Sequence, residues 1–80
     1  MTATVTLVVA QGCHLCELAR GELGELAAEH GFAVSELDIT GVPELERRYR
    51  EWIPVVEVAG QRVSVYRVEP APLRRALGLA

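Results

Sequence analysis

Between Val5 and Ile39 the hydrophobic period changes twice, and this change limits the possible folds more than any other feature of the chain. Val5-Thr6-Leu7-Val8-Val9-Ala10 is β-branched and almost wholly apolar, the pattern of a strand covered on both faces in the middle of a sheet. From His14 onward, Leu15, Leu18, Ala19, Glu22, Leu23, Leu26, Ala27 and His30 follow helical spacing, with Gly31 placed as a stop. Phe32 to Ile39 then reads as a second strand. Two strands joined through one helix run parallel with a right-handed crossover. Gly21 and Gly24 each weaken the helix by about 1 kcal/mol relative to Ala, which predicts that the sheet or another helix approaches closely there.

The remaining sequence closes this unit. Pro43 suits the first turn of a second helix, from Glu44 to about Glu51, with Leu45, Tyr49 and Trp52 as its apolar side and Pro54 as its end. Val55 to Ala59 and Arg62 to Arg67 are β-rich and separated by Gly60-Gln61, a pair that suits a type II′ hairpin. That turn sets Val58 opposite Val63 and Val56 opposite Val65. A last helix, about Ala71 to Leu79, enters through Pro70 and Pro72 and turns Leu73, Ala76 and Leu77 inward. At 80 residues the chain holds one core, so residues 1–80 read as a single α/β domain.

Charge removes some classes of function. The net charge is −3, and the basic cluster Arg47-Arg48-Tyr49-Arg50 is interleaved with Glu44, Glu46 and Glu51. Such balance argues against a nucleic-acid surface, which needs an unbalanced positive stripe. The first apolar run is too short for a membrane span, and Met1-Thr2-Ala3-Thr4 carries no basic residue ahead of it. These features predict neither export nor membrane insertion but a cytoplasmic chain, whose cysteines are kept reduced unless they are catalytic or bind metal.

Both cysteines lie in Gly12-Cys13-His14-Leu15-Cys16, at the joint between the first strand and the first helix. A thiolate is the attacking species, and a free cysteine titrates near pH 8.5, so at neutral pH a few per cent would react without help. Unpaired N–H groups and the positive end of the helix dipole favour negative charge on Cys13, while a spacing of three places Cys16 one turn later on the same face. His14 adds acidity if protonated and close, or else points into water. Glu17 favours the helix but opposes a neighbouring thiolate. A structural zinc wants four ligands, whereas Cys13, Cys16 and distant His30 give three, and a static disulfide over so short a loop gains little entropy. No metal is therefore assigned. Pro54 reads either as a plain helix stop or as a functional residue.

With Gly-Cys-His-Leu-Cys between strand and helix, and Tyr49-Arg50-Glu51-Trp52-Ile53-Pro54-Val55-Val56 leading to Gly60, the chain resembles the glutaredoxin-like branch of the thioredoxin superfamily over nearly its whole length. It is especially similar to small bacterial glutaredoxin-like domains. The resemblance implies a three-layer sandwich, β-α-β-α-β-β-α, with a four-stranded mixed sheet in the order 2-1-3-4. It also implies Cys13 as nucleophile, Cys16 as resolving thiol and a cis Ile53-Pro54 bond packed against the cysteines. Ile53 would then offer its backbone to an extended substrate.

Departures from the family pattern bear on the ligand. Glutathione-using members carry a basic residue shortly before the motif and a Gly-Gly-x-Asp stretch before the last helix. Gln11 stands at the first place and Val65-Tyr66-Arg67-Val68-Glu69 at the second, so glutathione binding does not carry over. Arg47, Arg48 or Arg50 could substitute, but a solvated helix face is the plainer reading. Leu15 replaces the usual aromatic residue and reads as a core or rim hydrophobe. Glu57, a carboxylate in a central strand, is read as the cross-strand partner of Arg62 or Arg67, or alternatively as a proton acceptor for Cys16.

These readings converge on a monomeric thiol-disulfide oxidoreductase with no bound cofactor. Cys13 and Cys16 are its couple, His14 and Glu17 its modulators, and Gln11, Ile53 and Pro54 its substrate contacts. Its partners would be a disulfide-containing protein or small thiol, with glutathione or a reductase as electron donor. The rival readings are a redox-silent binding module and a dimeric metal or iron-sulfur carrier.

Overall fold

The computed structural model describes residues 4–79; Met1 to Ala3, on which part of the export reading rests, lie outside them. Seven elements follow in order: β1 (Thr4–Val9), α1 (His14–His30), β2 (Ala33–Asp38), α2 (Pro43–Tyr49), β3 (Val55–Val58), β4 (Gln61–Val65) and α3 (Pro70–Ala76). The sheet order is β2-β1-β3-β4, with β1 parallel to β2 and antiparallel to β3, and β4 antiparallel to β3. This is the mixed 2-1-3-4 sheet of a thioredoxin-like fold.

Alternation along β1 divides the core in two. Val5, Leu7 and Val9 point to one face, where they meet Cys16, Ala19 and Leu23 of α1, Leu73 of α3 and Val56 of β3. Val8 and Ala10 point to the other, against Ile39, Val55 and Tyr49 of α2. A central strand with both faces covered favours apolar side chains, which explains a run interrupted only by the half-buried Thr6. No described helix is long and apolar enough to cross a membrane.

Several details differ from the sequence expectations. Gly21 and Gly24 are exposed, and a Cβ at either would meet nothing within 4 Å, so no close approach accounts for them. The second helix ends at Tyr49, and Trp52 stands beyond it on the rim, 40% exposed, with its ring centroid 6.2 Å from that of Tyr66. The hairpin turns on Ala59-Gly60 rather than Gly60-Gln61, with φ of 53° and 77°. Two positive φ values belong to a type I′ turn. Val58 therefore faces Gln61 and Glu57 faces Arg62, and an irregularity then sets Val56 opposite Ser64 and Val55 opposite Val65. The extra residue, Val63, bulges from β4 and packs on the α1 side. The last helix stops at Ala76, which is exposed, while Leu73 is buried and Leu77 half-buried.

Candidate active site

The joint between β1 and α1 is built by three residues. Gly12 takes φ +73°, a conformation that suits glycine, and turns the chain out of the sheet. Cys13 follows in extended conformation as the N-cap of α1, and its carbonyl accepts the Glu17 N–H at 3.2 Å. Its sulfur takes the place of the usual capping oxygen and accepts the Cys16 N–H at 3.1 Å. One otherwise orphaned amide of the first turn is thus aimed at Cys13 Sγ.

Cys13 and Cys16 are disulfide-bonded, with Cα atoms 5.2 Å apart. Their surroundings differ: Cys16 is 1% exposed within the α1-side core, whereas Cys13 is half-buried at its margin. Of the two sulfur-bearing residues, Cys13 is the one that presents surface.

A shallow groove of about 210 Å³ opens beside the bond, with Gln11, Cys13, Cys16, Glu17 and Arg20 in its walls. The Gln11 N–H donates to Thr40 Oγ1 at 2.8 Å, and the Thr40 N–H donates in turn to Asp38 Oδ1 at 2.9 Å. That chain pins the loop before the cysteines to the end of β2. The Thr40 amide holds the Asp38 carboxyl below its ordinary range.

His14 and Glu17 pair with each other, His14 Nδ1 standing 3.8 Å from Glu17 Oε2, and both side chains are largely exposed. Glu17 shares the groove; His14 is directed toward solvent. Ile53 packs against the cluster that holds Cys16, as Cys13 does, and its N–H and C=O make no hydrogen bond among the described residues. Pro54 is buried behind it, and the bond between them is cis.

Two sequence assignments require correction. Glu57 accepts a hydrogen bond from the Tyr49 hydroxyl at 2.9 Å, not an ion pair from Arg62 or Arg67. Arg62 lies opposite it but places its guanidinium over the rings of Tyr49 and Trp52, at 5.9 and 5.8 Å. Glu57 also shares its sheet face with Val55 and α2, whereas Cys16 belongs to the opposite face, so a proton cannot pass directly between them. Arg50 is committed to Glu46, and Arg48 stacks on Tyr49. His30 sits at the far end of α1, about 20 Å from the cysteines by helical rise. There it accepts a 3.4 Å hydrogen bond from Arg74.

Arg20 went unremarked in the sequence. It lies four residues after Cys16, one turn along the same helix face, and its Nε and Nη2 donate to Glu36 of β2 at 2.6 and 2.9 Å. The i, i+4 spacing from Cys16 was the available signal.

A family model described as Glutaredoxin-like domain (DUF836) matches residues 4–78. Among curated proteins, the uncharacterized proteins Rv0508 of Mycobacterium tuberculosis and Mb0520 of Mycobacterium bovis are each 32% identical over 75 residues. Each match covers 88% of this chain and 77% of the relative. Among solved structures, the solution structure of protein Ne2328 from Nitrosomonas europaea aligns with a TM-score of 0.81 at 22% identity, covering all of this chain and 94% of that one. A malarial protein aligns at 0.68 and 16% identity, covering 98% and 96%. At those identities the structural matches speak for the fold alone.

Proposed function

The chain belongs to the glutaredoxin-like domain family, and from that premise we propose that it is a thiol-disulfide oxidoreductase working through Cys13 and Cys16. The observation that carries the reading is the asymmetry of the pair. Cys13 caps the helix, receives an amide N–H and presents surface, while Cys16 is enclosed one turn behind it. Amide donation and the helix dipole both favour the thiolate of Cys13 over its thiol.

Cys13 then attacks a substrate disulfide to form a mixed disulfide, releasing one thiolate. Cys16 attacks the Cys13 sulfur, releases the second thiolate and closes the bond between them. The free N–H and C=O of Ile53 suit strand-like pairing with an extended substrate beside Cys13, a contact made through main chain. Gln11 and Pro54 complete the proposed substrate rim, and Glu17 tempers the thiolate. The proposed setting is the reducing cytoplasm, with a protein or small-thiol disulfide as substrate, a monothiol or reductase as electron donor, and the monomer as working unit.

Single substitutions test the order of events. Cys13→Ser is expected to abolish disulfide reduction, and Cys16→Ser to accumulate a mixed disulfide visible by intact mass under non-reducing conditions. Full activity in both variants would overturn the proposal.

A further inference from the structure

Arg20 stands where the proposed chemistry supplies no reason for a cation. Arg20 lines the groove that both cysteines line, and its guanidinium is fixed to β2 through two hydrogen bonds to Glu36. Those bonds use one edge of the planar fork, Nε and Nη2. Nη1 makes no hydrogen bond among the described residues. A guanidinium has two edges that each match a carboxylate, so binding one to Glu36 fixes the plane of the fork and leaves the other able to bind a second carboxylate.

We infer that Arg20 is a specificity residue: its free edge receives a carboxylate carried close to the disulfide sulfur that Cys13 attacks. This rests on the oxidoreductase reading and adds to it a class of substrate. The groove, about 210 Å³, is smaller than an ordinary ligand pocket and suits a group the size of one amino-acid side chain. Glu17 in the same wall opposes added negative charge, which favours a singly charged carboxylate over a phosphate. Such a carboxylate belongs either to a small acidic disulfide or to an Asp or Glu beside a protein cysteine.

The reaction balances without an outside reagent in a single turnover. The Cys13 thiolate attacks one sulfur of R-S-S-R; the Cys13-S-S-R bond forms as the R-S-S-R bond breaks, and one thiolate leaves. Cys16, its proton given to solvent, attacks the Cys13 sulfur, forms the intramolecular disulfide and expels the second thiolate. Two electrons pass from the dithiol protein to the substrate.

Pre-reduced protein, freed of reductant, is mixed with two pairs of probes. One pair is dithiobis(nitrobenzoate), which carries carboxylates, and neutral dithiodipyridine. The other is two short peptide disulfides identical except for Glu or Gln beside the cysteine. In Arg20→Gln the ratio of acidic to neutral rate falls about three- to tenfold, the range of a charge-assisted contact at a partly exposed site. Arg20→Lys, which keeps the charge and loses the fork, recovers part of that ratio. A fall confined to the small probes assigns the site to small acids, and a fall with the peptides assigns it to acidic protein segments. An unchanged ratio in both pairs, with reactive wild-type protein, overturns the inference alone. Wild-type protein inert to all four probes overturns the oxidoreductase reading and the inference with it. The side chain is half exposed on a helix surface and Gln is a good helix former, so folding is retained.

Discussion

Glu57 shows what one side chain's direction decides. Its position in a central strand suggests a buried ion pair or a proton acceptor, and the period of two along β3 rules on both. Thr6 and Glu57 are register partners on the α2 face, as Val8 and Val55 are, and among the described residues Tyr49 alone donates to the carboxylate through its side chain. Burial, and then the hydrogen bond to Glu57, raise the Tyr49 pKa above the ordinary phenol value, so the hydroxyl stays a donor into alkaline solution. Tyr49→Phe removes that donor while leaving the ring under Arg48 and Arg62. The expected loss is about 1.5 kcal/mol, the low end for a hydrogen bond to a charged group because the carboxylate is only half-buried, read as a lower urea midpoint. The pH profile of disulfide reduction should keep its shape, because the sheet separates this pair from Cys16. A shifted profile would restore Glu57 to the reaction.

Elements were legible where one physical signal dominates and blurred where two compete. The buried run of β1 and the Gly31 stop of α1 stand where periodicity and capping put them. The hairpin register did not follow from the turn residues alone. Ala59 adopts positive φ, which its side chain disfavours, and the bulge at Val63 moves Ser64 into the core opposite Val56, where its Oγ has no partner among the described residues. The Gly60-Gln61 turn implied one register, and the observed Ala59-Gly60 turn with its bulge adopts another. In α1, Gly21 and Gly24 face open space at ordinary helical positions. Alanine at either should therefore stabilise the fold by up to about 1 kcal/mol, through helix propensity and a less disordered unfolded chain. Thermal unfolding of Gly21→Ala, Gly24→Ala and the double variant would show stepwise gains. A loss in either would mean that the glycine serves a contact made outside this fold.

At the scale of the molecule, the cysteines were legible because their chemistry is local: a cap, a spacing of three and a helix start lie within five residues. Their surroundings were not, since those depend on contacts across the chain. Gln11 reaches Thr40 and Arg20 reaches Glu36, each joining segments that no local pattern links. The Arg20–Glu36 contact, with local hydrogen bonds to Asp38 and Glu46, sets the response to acid. Glu36 is held below the ordinary glutamate range first by its hydrogen bond from Arg20, Asp38 by the Thr40 amide, and Glu46 by Arg50 and then the Gly41 amide. Ordinary values are about 4.3 for Glu and 3.9 for Asp. A carboxyl whose pKa is lower in the folded chain stabilises it fully above the unfolded value, and that contribution is lost as pH falls through the folded value. The urea midpoint, followed by Trp52 fluorescence, should thus be level from neutrality to about pH 5 and fall below about pH 4. Glu36→Gln should lower the neutral-pH midpoint and flatten the acid slope, and added salt should narrow the gap between variants, because the Arg20 pair is about half exposed. A midpoint that holds constant to pH 3 would show that the contacts of these three carboxylates contribute nothing to the stability of the fold.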